Sequence, residues 1–147
     1  MLARLWQRDA RHEGVMRINI YLLRLLYALM FFFMLGQTTW TEILTHHGQW
    51  EPNKAVAWTV WTAFATLAGL GLLRPVKMLP IILLEILYKV MWLAIVAYPL
   101  WSRGELAGSP AESTTYAFLG VLLAIIAVPW GHIAKSYFTW PSKTNPA

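Results

Sequence analysis

The run from Ile81 to Val96 reads Ile-Ile-Leu-Leu-Glu85-Ile-Leu-Tyr-Lys89-Val-Met-Trp-Leu-Ala-Ile-Val. With its apolar flanks it is long enough to cross a bilayer, yet it carries an acid and a base. An ionisable side chain deep in hydrocarbon costs about 2.5–3.5 kcal/mol on insertion scales, so one that persists has a partner or a task. Glu85 and Lys89 stand four residues apart with the acid first, the favourable order for an ion pair within one helix. Counting from Met78, Glu85 lies roughly 10 Å and Lys89 about 16 Å into a core about 30 Å thick. Lys89 is thus too deep to reach the headgroups. Tyr88 and Trp92 share that face, which reads as a stripe of acid, phenol, ammonium and indole.

Outward from this run, the whole chain has a membrane composition. Of its 147 residues 58% are hydrophobic and 13% charged, against roughly a quarter charged in soluble domains. The apolar residues gather into four blocks, about 18–36, 55–73, 78–99 and 115–134, each near the ~20 residues a spanning helix needs. None alternates with the two-residue period of a barrel strand. The sequence therefore predicts an all-α integral membrane protein, a single domain over 1–147, with four transmembrane helices in an antiparallel four-helix bundle. No cysteine is present, which excludes disulfides, thiolate metal sites and thiol redox chemistry.

The net charge of +5 is distributed for topology rather than for nucleic acid. Arg4, Arg8, Arg11 and Arg17 precede the first block, Arg74 and Lys77 separate the second and third, and Lys135 and Lys143 follow the fourth. The two opposite loops hold only Lys54 and Arg103. The positive-inside rule then puts both termini in the cytoplasm (N-in, C-in) and the chain, as a multi-pass protein, in a bacterial inner (plasma) membrane. The first block is too long for a signal-peptide core and lacks a small-residue cleavage pattern, so it reads as a retained anchor.

Residues 1–17 form a basic, amphipathic cytoplasmic segment. It suits either a short helix on the membrane surface, with Leu2, Leu5 and Trp6 dipping inward, or a frayed tail. Arg24, two turns into the first block, snorkels to the headgroups or pairs with Glu85. Arg74-Pro75-Val-Lys77-Met-Leu-Pro80 is a short cytoplasmic connection, with Pro75 after one helix and Pro80 in the first turn of the next, and it predicts an antiparallel hairpin. Pro129 lies inside the fourth block and should kink it, freeing a carbonyl near Ile125.

Two small-xxx-small pairs, Ala65 with Gly69 and Gly120 with Ala124, predict close packing of the second and fourth helices, within one chain or between copies. Thr62 and Thr66 share a face of the second helix and are candidate neighbours of the Glu85–Lys89 centre. Their bland role is bonding their own backbone. Glu42, His46 and His47 in the first outer loop make only a weak metal candidate: the histidines are adjacent and diverge, and no two histidines stand at one level of different spans. The chain calls for no cofactor. The tryptophans, Trp40, Trp50, Trp58, Trp92, Trp101, Trp130 and Trp140, fit an aromatic belt or packing. No serine stands in a nucleophile motif, and no phosphate-binding glycine loop occurs.

The stretch Arg74-Pro-Val-Lys-Met-Leu-Pro-Ile-Ile-Leu-Leu-Glu85-Ile-Leu-Tyr-Lys89-Val-Met-Trp92 resembles the signature segment of a group of small, uncharacterised four-span bacterial inner-membrane proteins. That likeness implies the topology and no activity. A looser likeness to DoxX-like proteins concerns size and span number alone. The functional expectation is a membrane protein with a buried Glu–Lys polar centre that binds or transports a small molecule, or serves as a scaffold or subunit. Its partners are membrane lipids and further copies of itself or a larger membrane complex, with no nucleic acid. The alternative is a small membrane enzyme acting on lipid or quinone. The pair itself has three readings: mutual neutralisation that fixes helix three in the bundle, the lining of a polar cavity, or a lipid-facing position.

Overall fold

A computed structural model describes residues 5–34 and 36–138, with the side chains of 33–37 left aside; Leu2, Arg4, Trp140 and Lys143 therefore lie outside the described residues. The chain opens on a small antiparallel hairpin in which β1 (Arg8–Asp9) pairs with β2 (Val15–Met16) around a 3-10 turn at Ala10–His12. Helix α1 (Arg17–Ala28) continues as a π-helical segment to Met34, and α2 (Gly36–Thr45) follows. Next come α3 (Pro52–Leu73), α4 (Leu79–Trp92) with a π-helical extension Leu93–Ala97, and α5 (Tyr98–Ser102). The last part holds α6 (Glu112–Leu119), α7 (Val121–Ala127) and α8 (Trp130–Tyr137).

Apart from the four strand residues the described chain is helix and connection. Two helical stretches are long and apolar enough to cross a membrane, Pro52–Leu73 and Leu79–Ser102. A third joins them if Glu112–Ala127 and Trp130–Tyr137, bent by 73°, count as one span. Membrane spanning here rests on length and composition.

The amphipathic-helix reading of residues 1–17 does not survive for the described part. Asp9 accepts the Arg11 amide on Oδ1 at 2.9 Å, and the Gly14 amide donates to the Asp9 carbonyl at 3.0 Å. Gly14 has φ 74 and Glu13 φ 56, left-handed values that turn the chain back on itself. Glycine takes this conformation freely, and glutamate at a cost. The Asp9 carboxyl is held below its ordinary range, chiefly by the Arg11 amide.

Helix α3 begins at Pro52, three residues before the apolar block. Glu51 caps it, accepting the Lys54 amide at 2.7 Å and the Asn53 amide at 3.1 Å, and proline suits the first turn because its missing N–H is not needed there. The connection Arg74–Met78 then reverses the chain, with Pro80 in the first turn of α4. Pro99, inside the third apolar block, cannot donate to the carbonyl four residues back. The chain there adopts π geometry, the Tyr98 amide donating to the Leu93 carbonyl, and the helical path runs on to Ser102.

The fourth block is broken rather than bowed. Val128 is extended and Pro129 non-helical, so α7 and α8 diverge sharply. The Ile125 carbonyl released by Pro129 accepts the Trp130 indole N–H at 2.8 Å. The Ala127 carbonyl accepts the Asn19 side-chain amide at 3.0 Å, which ties the break to α1.

The core is centred on α1, whose Leu23 and Tyr27 are fully buried together with Leu79, Ile82, Ala68 and Ala127. The small face of α3 meets α1. A Cβ on Gly71 would collide with the Tyr27 ring, and one on Gly69 would come within 2.9 Å of Phe31. Helix α7 packs on α1 and α4, with Ala124 buried. Within the chain, α1 thus receives both the small face of α3 and α7. The physical reason is size: the Tyr27 ring needs a neighbour without a side chain, and Gly71 supplies it. Gly120 is exposed and marks the junction between α6 and α7.

One end of the bundle gathers the basic elements. Glu13 of the hairpin meets His132 Nε2 of α8 at 3.3 Å, and the Tyr27 hydroxyl donates to the Pro75 carbonyl at 3.2 Å. Arg11, His12 and Glu13 share a cavity with Arg74 and Lys77. Helix α2, the first half of α3 and the start of α6 meet toward the opposite end, where Thr38, Trp58 and Ser113 line one cavity.

Candidate functional site

Helix α4 positions the polar centre. Its periodicity turns Ile81, Ile82, Glu85 and Lys89 inward, while Leu84, Leu87 and Met91 face outward. Glu85 and Lys89 are each only 5% exposed, and Lys89 Nζ lies 2.5 Å from Glu85 Oε1. The lipid-facing reading of the pair therefore fails. In low dielectric a bare charge is so costly that the two side chains close on each other.

The neutralisation is incomplete in hydrogen bonds. Glu85 Oε2 is buried and has no hydrogen-bond partner among the described residues. A carboxylate offers about four acceptor positions, so one flank of the centre keeps unused polar capacity. The phenols of Tyr27 and Tyr88 are close enough to feel the Glu85 charge. The Tyr27 hydroxyl already serves Pro75.

Aromatic rings pack beside Lys89. The Phe118 ring of α6 has its centroid 5.7 Å from Lys89 Nζ, within reach of a cation–π attraction. Phe118 also packs edge-on against Tyr88 at 5.6 Å and against Trp92 at 5.0 Å, and Tyr88 touches Phe64 at 5.9 Å. Tyr88 and Trp92 thus share the Phe118 ring with Lys89. Sequence reasoning missed Phe118 and Phe64: each stands on another helix, and nothing local in their own segments marks them.

Tyr88 and Phe118 of this aromatic layer also line a cavity of about 340 Å³, together with Trp58, Trp61, Thr38 and Thr114. Phe118 thus lines the cavity and also lies beside the Lys89 ammonium. Thr62 is buried but donates to the Trp58 carbonyl at 2.8 Å, and the exposed Thr66 donates to the Thr62 carbonyl at 2.8 Å. Both hydroxyls serve their own helix, and neither bonds the ion pair.

Arg24 is no partner of Glu85. Its Nε is buried without a hydrogen-bond partner among the described residues, and it lines a cavity of about 50 Å³ with Asp9, His12 and Arg17 at the basic end. Arg74, Pro75 and Lys77 lie in the short connection between α3 and α4, and Pro80 in the first turn of α4, with Pro75 buried and its carbonyl accepting from Tyr27. At the opposite end His46 Nδ1 lies 3.6 Å from Glu42 Oε1 and its ring stacks on Trp50 at 3.6 Å, while His47 is exposed. Among the described residues no three His, Asp or Glu side chains converge as a metal site would require.

No protein-family model, no curated protein and no solved structure matches the chain. The class it belongs to is accordingly set by its own features: a mostly helical protein with helices able to cross a membrane and one buried ion pair.

Proposed function

We propose that the chain is a four-span inner-membrane protein with both termini cytoplasmic, and that it binds or carries a small molecule at the Glu85–Lys89 centre. The gathering of Arg8, Arg11, Arg74, Lys77 and Lys135 toward one end of the bundle supports the orientation. The helical continuation of α1 through Met34 supports a span there, and the α6–α8 segment, apolar enough if its bent halves count as one, supports another.

The observation that carries the reading is the position of Phe118, which neighbours Lys89 of an ion pair with an unused carboxylate oxygen and also lines a 340 Å³ cavity. A pair serving only as a structural clamp needs no cavity beside it. Cavities of roughly 300–1,000 Å³ are the usual size for small-molecule sites. A ligand entering past Phe118 would find the Lys89 ammonium for an anionic group and Glu85 Oε2 for a donor. The closeness of the ion pair keeps either charge from standing alone in the absence of ligand.

Native mass spectrometry on the full chain extracted in mild detergent tests this. The wild type should carry a small-molecule adduct that the Glu85→Gln/Lys89→Met double variant loses while staying folded. Identical spectra from the two would contradict the binding reading and favour a purely structural pair.

A further inference from the structure

A second cavity, of about 580 Å³, opens at the end of the bundle opposite the basic hairpin. Three indoles line it: Trp50 before α3, and Trp58 and Trp61 from the first turns of α3. Trp58 and Trp61 lie on adjacent turns and meet edge to face at 5.5 Å and 85°. Trp50 is held by the His46 ring stacked upon it at 3.6 Å. An aromatic belt accounts for tryptophans at this level one at a time; it does not account for three of them converging on one hollow that also holds carboxylates.

The charges are placed for a cation. Glu42 and Glu51 line the cavity, with Lys54 as the single opposing charge. Glu51 spends both oxygens on the amides of Asn53 and Lys54, and Glu42, whose Oε1 faces His46 Nδ1 at 3.6 Å, keeps Oε2 for a ligand. The loops at this end are acidic in sum, with Glu42, Glu51, Glu105 and Glu112 against Lys54 and Arg103. Indole faces attract ammonium groups through the ring quadrupole, and a nearby carboxylate completes the charge.

We propose that this cavity binds an alkylammonium group, its charge set between the indoles and the Glu42 carboxylate. An anionic group on the same ligand falls near Lys54, as in a phosphoethanolamine or phosphocholine head. A free amine and a lipid headgroup share this chemistry. The site shares Trp58 and Trp61 with the lining of the 340 Å³ cavity, but its charged groups, Glu42 and Lys54, belong to it alone, and it stands whether or not the Glu85–Lys89 centre binds anything.

Isothermal titration of the full chain in maltoside micelles with tetramethylammonium and with phosphocholine tests the site. Saturable binding of both is expected, weakened about ten-fold by Glu42→Gln and by Trp50→Leu and unchanged by Trp101→Leu. Absence of saturable binding to the wild type would overturn the proposal. So would equal binding by all variants while circular dichroism and gel filtration report the native fold. In nanodiscs, loss of tetramethylammonium binding when phosphatidylethanolamine replaces part of the phosphatidylglycerol would assign the site to a lipid head. Undiminished binding would assign it to a free amine.

Discussion

At Glu85 and Lys89 two charges share one oxygen–nitrogen contact inside a bundle. Removing one partner leaves the other buried and uncompensated, which costs about 3–5 kcal/mol, whereas removing both is far milder. Thermal unfolding in detergent should therefore show Glu85→Gln and Lys89→Met each strongly destabilising and the double variant recovering most of the loss. Additive single effects would mean that the two charges do not depend on each other. Gly71 gives a second residue-scale prediction. Gly71→Ala drives a methyl into the Tyr27 ring near its attachment point, where the side chain cannot swing away, and should destabilise by about 1–3 kcal/mol. The pair was legible in the sequence because a charge in an apolar run is conspicuous. Phe118 was not legible, since an aromatic residue in an apolar helix is unremarkable until another helix places a lysine beneath it.

At the scale of elements, local chemistry predicted what proline does and missed what capping does. Pro129 was expected to free a carbonyl near Ile125, and the Trp130 indole takes that carbonyl. Trp130→Phe should cost about 1 kcal/mol and leave the 73° bend in place. Pro129→Ala restores an amide to the ladder, and spin-label distances between α7 and α8 should lengthen as the two come into line. The cap at Glu51-Pro52 was overlooked because hydropathy alone set the start of the second span. That cap is also a pH device. Hydrogen bonds from the Lys54 and Asn53 amides hold the Glu51 carboxyl below its ordinary value of 4.5. Its stabilisation is complete above that value and fades as pH falls through the lowered one. Amide-exchange protection at the start of α3 should fall with acidification in that window, and Glu51→Gln should remove the dependence. The hairpin at Arg8–Met16 escaped the sequence reading for another reason: its basic and apolar residues fit a surface helix, and only Asp9 with Gly14 betrays a turn.

For the whole molecule, four apolar blocks and their basic flanks were readable from composition, since hydrocarbon thickness and loop charge act on counts rather than contacts. Which helix touches which was not readable. The small residues of α3 can receive any large partner, and the size and position of Tyr27 decided for α1. The candidate site likewise assembles from α4 and α6, far apart in the chain, so its aromatic cover and cavity exist only after folding. The absence of native cysteine makes the central claim, that the buried pair is approached from the cavity beneath the acidic loops, open to one direct measurement. Tyr88→Cys and Leu87→Cys place thiols at nearly the same depth, one lining that cavity and one on the exposed outer face of α4. A membrane-impermeant thiol reagent added from the outer side of spheroplasts should label Tyr88→Cys readily and Leu87→Cys hardly at all; equal labelling of both, or none at Tyr88→Cys, would contradict the account.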